Sequence, residues 1–324
     1  TQSLLLNPDN SDIYFNLGKS YFETSKIIQA REAFNRTITI DPQHGQAYYY
    51  IGLINENIME IDKAVHAYAQ AQKYSPEIED VHYRLGMLLY RTGELKKAME
   101  PLRQYIINQP DDQHVLEVMG EIFISENRFP EAIDTYNRIL GMYPEKLETN
   151  LALAESYYQL KELENAINVY QNILLFDDEN YEVMIRMGSI YNELGEYKDA
   201  ENILNQAINC TTPTMKMYYQ LALTYGNQGK YMSTVLAFQE ALKLKSDDVE
   251  IKYQLGIAYM ELYNFNVAAQ YFEEYVALNN QDEIAFFFLG KCYYEIGDYP
   301  AAILALQRAN ALSPNDHRIL YYIG

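Results

Sequence analysis

Residues 283–316 read EIAFFFLGKCYYEIGDYPAAILALQRANALSPND. Phe286, Leu289, Gly290 and Tyr293 lie three or four residues apart, the spacing that puts apolar groups on one face of a helix. Gly297 stands where that helix should end, because a residue without Cβ accepts the left-handed backbone of a helix C-cap. Pro300 falls in the first turn of a second helix, where its missing N–H does no harm. The stretch therefore predicts helix A, a tight turn, helix B and a linking turn within 34 residues.

The same pattern extends over the rest of the chain. Short strings around Pro42, Pro76, Pro110, Pro144 and Pro314 are spaced by 34, 34, 34 and then 170, five times 34. A frame set at Ser11 gives nine repeats, starting at residues 11, 45, 79, 113, 147, 181, 215, 249 and 283, without insertion or deletion to Asp316. In the first, Tyr14, Leu17, Gly18 and Tyr21 carry the helical spacing. The eighth position is always small, Gly18 and Gly120 or Ala154 and Ala222, although Gly inside a helix costs about 1 kcal/mol against Ala. The twentieth position, Ala in eight repeats and Thr234 in one, is expected to supply the matching contact, small against small, so that helices A and B cross closely. Leu17, Tyr21, Leu221, Tyr225, Phe34, Phe238 and Phe272 fill the remaining core. Gly93, Gly195 and Gly229 repeat the C-cap signal, and Pro130 repeats the first-turn proline.

These marks resemble the tetratricopeptide repeat family over residues 11–316. The reading is an all-α fold, a right-handed α-solenoid of helix-turn-helix repeats and a single continuous domain. The departures are local. The fourth-position Trp is replaced by Tyr14, Tyr48, His82, Leu116 and others, and Asn55 and Leu89 replace the eleventh-position aromatic. The closing Pro is lost at Asp178, Thr212, Ser246 and Asn280, which predicts looser joints there. Pro101 falls inside helix B of the third repeat and predicts a bend, either a surface kink or a functional one.

Composition excludes several classes of function. With 25 Lys+Arg against 45 Asp+Glu the net charge is −20, unsuited to neutralising nucleic-acid phosphates or docking on an anionic membrane. No apolar run reaches the roughly 18 residues of a membrane span, and no basic signal-like region follows Thr1. Neither a cytoplasm nor a periplasm is favoured. Cys210 and Cys292 lie in distant repeats, tens of Å apart if repeats contact only their neighbours, so no intrachain disulfide is expected. His44, His66, His82, His114 and His317 share no metal-binding spacing, and no phosphate loop or nucleophile elbow occurs. The triplets at Asn35 and Asn209 sit in or at the end of a helix B and read as chance. No catalytic residue, cofactor or metal is expected, and the chain reads as non-enzymatic.

The resemblance implies that helix A lines a concave groove in which peptides or helices lie. The fifth and twelfth positions, seven apart on one side of helix A, are not required by the packing argument. They supply candidate partner-binding residues in two clusters: Phe15, Phe22, Tyr49, Tyr83 and Tyr90, then Tyr219, Tyr253, Phe287 and Tyr294. Between them Glu117, Glu121, Glu148, Glu155 and Glu182 make an acidic groove centre suited to a basic stretch in a protein or peptide ligand. The alternatives are that the rings pack between adjacent A helices and that the glutamates form a solvated face. A carboxylate clamp of the family's chaperone co-factors is matched only by Arg84, and an asparagine ladder stops after Asn16. Residues 2–8 match the end of a helix B and residues 317–324 the start of a tenth repeat, so the sequence reads as part of a longer array or as ends that self-associate. The resulting expectation is a protein-interaction scaffold. The alternative is a regulatory or targeting segment of a larger enzyme or secretion machine.

Overall fold

A computed structural model describes residues 10–314 and 317–323, so the expectation for residues 2–8 lies outside the described residues. The chain divides into two compact units, Thr1–Leu160 and Lys161–Gly324. In the first, helices A and B alternate as α1 (Ser11–Glu23), α2 (Ile27–Ile40), α3 (Gly45–Asn57), α4 (Ile61–Tyr74), α5 (Glu79–Arg91), α6 (Leu95–Asn108), α7 (Gln113–Ser125) and α8 (Phe129–Met142), followed by the A helix α9 (Leu147–Gln159). The second begins with the B helix α10 (Leu163–Phe176) and continues through α11 (Tyr181–Leu194), α12 (Tyr197–Cys210), α13 (Met215–Asn227), α14 (Tyr231–Leu244), α15 (Val249–Glu261) and α16 (Phe265–Leu278). It closes with α17 (Glu283–Ile296), α18 (Tyr299–Leu312) and α19 (His317–Ile323). All regular structure among the described residues is helical.

Each A helix begins after a repeat-ending residue, often a short polar one. Asp112 Oδ1 accepts from Val115 N at 3.1 Å, Asp248 Oδ1 from Ile251 N at 3.1 Å, and Asp282 Oδ1 from Ile284 N and Ala285 N at 3.0 Å. These bonds satisfy donors that a helix start leaves open. Each A helix ends in a left-handed residue at the fifteenth position. Gly93, Gly195, Gly229 and Gly297 have φ of 71–89°, and Ser25, Met59, Asn127, Lys161 and Tyr263 have φ of 57–61°. Lys26 N donates to Tyr21 O at 2.8 Å and Asp298 N to Tyr293 O at 2.9 Å, the long bond of a Schellman cap. The conformation is thus required in all nine repeats, whereas Gly provides it in four. A Cβ in this region costs about 1–2 kcal/mol, while Gly also gains entropy when unfolded. Exposed Met59→Gly is expected to stabilise the protein by about 0.5 kcal/mol, a rise in Tm of about 1–2 °C. Asn127→Gly should be near neutral, because Asn tolerates this conformation. Thermal unfolding followed by circular dichroism measures both.

The eighth-position glycines meet a different partner from the expected one. A Cβ on Gly18 would stand 2.6 Å from the Phe34 ring, on Gly52 2.4 Å from Tyr68 and on Gly120 2.5 Å from Tyr136. The nearest contact is therefore with the twenty-fourth position, and the expected twentieth follows it at Gly290, where Ala302 O is 3.3 Å away. Helical side chains lean toward the N-terminus, so the residue at twenty-four covers the turn that begins at twenty and reaches the glycine first. The alanines at twenty, Ala30, Ala64, Ala98 and Ala132, are nevertheless fully buried. Successive repeats join through the same residue: Phe34 stacks on Tyr50 with centroids 5.0 Å apart at 11°, and Phe272 meets Phe288 at 5.7 Å.

Two further expectations change. Pro101 is buried inside the unbroken 14-residue α6, so it is not a surface kink. Of the four joints without a closing Pro, three keep the backbone bond that ends helix B: Asp177 N to Ile173 O, Lys245 N to Ala241 O and Asn279 N to Tyr275 O. Only at Cys210–Thr211, where Thr211 is extended, is that bond absent among the described residues.

Candidate functional site

The fifth-position rings are held by the core, which corrects the expectation that packing leaves them spare. Phe15 is 9% exposed and lies 5.9 Å from Phe34; Phe287 is 8% exposed, 5.8 Å from Phe288. Neither presents a face to a ligand. Tyr49, Tyr83, Tyr219 and Tyr253 are half-buried. Tyr219 packs edge-on to Phe238 at 5.6 Å, and Tyr253 to Phe272 at 5.8 Å.

A relay recurs in the third and eighth repeats, one in each compact unit. Tyr83 packs against Tyr105 at 5.2 Å, and the Tyr105 hydroxyl donates to Asp112 Oδ2 at 2.9 Å. Tyr253 packs against Tyr275 at 4.8 Å, and the Tyr275 hydroxyl donates to Asp282 Oδ2 at 2.9 Å. Both aspartates cap the next A helix, so each ring pair buttresses a helix start. Burial first, then the aspartate, pushes the Tyr105 and Tyr275 phenols up to about 12. They are uncharged donors at neutral pH. Sequence reasoning missed Tyr105 and Tyr275, although an aromatic seven residues before a helix-capping Asp was the available signal.

At the twelfth position Phe22 is half-buried on Tyr50 at 5.3 Å. The Tyr90 hydroxyl makes a short bond to the Glu121 carboxylate, which raises the phenol's pKa together with burial. Tyr294 is 43% exposed and meets Tyr299 at 5.7 Å and Tyr322 at 5.3 Å, both edge-on.

Arg84, the one match to a carboxylate clamp, is already engaged. Its Nε lies 2.5 Å from Asp80 Oδ2, and its terminal nitrogen donates to Glu56 Oε2 at 3.1 Å. Asp80 Oδ2 also accepts from Tyr49 at 2.7 Å and Glu56 Oε2 from Tyr68 at 2.7 Å. Five side chains from two repeats form one closed network, and burial followed by the Asp80 bond pushes the Tyr49 phenol up to about 12.

The five glutamates differ in surroundings. Glu117 is half-buried, ion-paired with Lys146 and accepts from Gln113 Nε2 at 2.7 Å. Burial raises its pKa, but the Lys146 and Gln113 bonds outweigh that and hold it below the usual carboxylate range. Glu121, one turn on, receives Tyr90. Glu148 is exposed and Glu155 half-buried on α9, while Glu182 is exposed on α11 in the second unit. Lys146, which neutralises Glu117, ends the same repeat and was not among the expected groove residues. Cys210 and Cys292 are both free, and burial pushes the Cys292 thiol up to about 12. No helix among the described residues is long and apolar enough to cross a membrane.

Among solved structures, the C-terminal part of a TPR repeat-containing protein from Cytophaga hutchinsonii is similar, with a TM-score of 0.65 at 16% identity over 75% of this chain and 99% of that one. The Naa15/Naa10 structure bound to HypK-THB gives 0.55 at 13% identity over 95% of this chain and 64% of that one. YrrB, described as a TPR protein with an unusual peptide-binding site, gives 0.52 at 19% identity over 59% of this chain and 98% of that one. At such identities the likeness is one of fold. No curated protein matches the sequence. Three tetratricopeptide repeat family models match, one at residues 60–113, 118–182, 219–283 and 253–317, a second at 161–221 and a third at 11–44. The first alone covers more than half of the chain, and the chain belongs to the tetratricopeptide repeat family.

Proposed function

We propose that this chain is a non-enzymatic scaffold that binds segments of other proteins along its A helices. The supporting observation is the set of tyrosines there, half-buried or exposed, with hydroxyls or rings held by their own or the next repeat. Tyr49 and Tyr90 are tied to Asp80 and Glu121, and Tyr253 is wedged between Phe272 and Tyr275. Rigid amphipathic rings make good anchors because little side-chain entropy remains to be lost on binding. Glu121 and Glu148, the more exposed acids of the first unit, favour Lys or Arg in the bound segment and speed its encounter. Peptide binding in YrrB and the partner-bound state of Naa15/Naa10, which share this fold, accord with that reading.

Tyr83→Ala or Tyr253→Ala would also unseat Tyr105 or Tyr275, so Tyr90 and Tyr294 are the cleaner probes. Panning a displayed random-peptide library against the full chain is expected to enrich peptides that combine large apolar residues with Lys or Arg. Tyr90→Ala plus Tyr294→Ala should weaken a selected peptide by at least about tenfold with helicity unchanged, the loss of one or two interface anchors. Equal affinity for the two proteins, or no enrichment, would overturn the proposal.

A further inference from the structure

A cavity of about 720 Å³ opens between α2, α3 and α4, on the B helices and away from the tyrosines just described. Ile38, Ile51 and Ala67 give it apolar lining, and Asn35, Asn55 and Glu60 give it polar groups. The corresponding space between α10, α11 and α12 is about 310 Å³, and there Tyr191 occupies the eleventh position. Its hydroxyl accepts from Gln171 Nε2, at the twenty-fifth position of the preceding repeat, at 3.4 Å. The pairing recurs: Gln239 Nε2 donates to the Tyr259 hydroxyl at 3.0 Å, and the Tyr293 hydroxyl donates to Glu273 in a short bond. In three repeats, then, a phenol at the eleventh position bonds across to the twenty-fifth position of the repeat before it.

The second repeat has Asn55 at the eleventh position, and the first has Asn35 at the twenty-fifth. Asn55 is only 5% exposed and lines the cavity, and Asn35 is exposed at its mouth. An Asn side chain is shorter than Tyr by the length of a ring, so the gap across the cavity stays open. Glu60 supplies the unsatisfied acceptor at the site: Oε1 pairs with Lys63 at 3.0 Å, while Oε2 is buried without a hydrogen bond, 3.9 Å from Arg31, and an acceptor left so costs about 1–3 kcal/mol that a suitable donor recovers.

We propose that this cavity is a phenol-binding site that receives a tyrosine side chain of a partner polypeptide. The ring takes the space that Tyr191, Tyr259 and Tyr293 occupy in their own repeats. The hydroxyl bonds to the Asn35 and Asn55 amides, with Glu60 Oε2 as a further acceptor.

Saturation-transfer NMR on the full chain tests this with p-cresol, the tyrosine side chain alone, against toluene, which lacks the hydroxyl. p-Cresol is expected to bind at least about tenfold more tightly, the factor that unpaired buried polar groups impose. Asn55→Tyr should fill the cavity from within, abolish p-cresol binding and raise Tm. Asn35→Ala, an exposed site, should keep the fold and erase the preference for p-cresol over toluene. Equal binding of p-cresol and toluene, or p-cresol binding unchanged in both variants, would overturn the site. N-acetyltyrosinamide separates the two sources of a phenol. Binding comparable to p-cresol supports a polypeptide tyrosine, whereas p-cresol binding without it would replace that ligand by a free small phenol.

Discussion

Phe272→Ala is expected to cost about 3–5 kcal/mol, the largest loss among the changes considered. The ring is fully buried, 5.8 Å from Tyr253 and 5.7 Å from Phe288. Its edge lies 2.9 Å from where a Cβ on Gly256 would be, so the opposing helix has no side chain that can fill the hole. Tyr253 belongs to the same repeat and Phe288 to the next, so the loss is felt within a helix pair and across a joint. The sequence contains no Trp, so far-UV circular dichroism in urea is the direct measurement. Hydrogen exchange should show faster opening of α16 and α17 together, as expected where neighbouring repeats supply each other's stability. A loss below about 1 kcal/mol would mean that the core does not depend on this crossing.

Gly52→Val is expected to cost about 3 kcal/mol, by overpacking instead of a cavity. Its Cβ alone would stand 2.4 Å from the Tyr68 ring, and two further methyl groups worsen the clash. Tyr68 is fully buried and its hydroxyl is tied to Glu56, which Arg84 also holds, so the ring is not free to swing aside. Gly52→Ala should be much milder, because the helix-propensity gain of about 1 kcal/mol offsets part of the clash. The fold already tolerates Ala222 beside Phe238. Adding Tyr68→Leu to Gly52→Val should recover part of the loss, since changes sharing one space are coupled. Leu already occupies this place over Gly86 and Gly188. Urea titration of the four proteins measures the coupling; strict additivity would mean that the glycine and the ring do not share that space.

Much of the architecture was legible before any coordinate. The helical spacing in residues 283–316, the recurrence at 34 and the small eighth position identified the helix pairs, because they depend on which face of one helix is apolar. The candidate site was less legible. Phe15 and Phe287 carry the same signal as Tyr49 and Tyr253, yet they are buried. Arg84 and Glu117 read as free charges until Asp80, Glu56 and Lys146 are seen beside them.

What the sequence determined by itself is therefore the period, the helix pairs and the tight turn after helix A, all set by residues within one or two turns of one another. The tertiary structure decided that the twenty-fourth residue meets the glycine, that fifth-position rings serve the core, that several groove charges are paired and that Asn55 leaves an unfilled space. Those outcomes depend on how side chains lean and on partners 16–31 residues away, which meet only once neighbouring helices have packed.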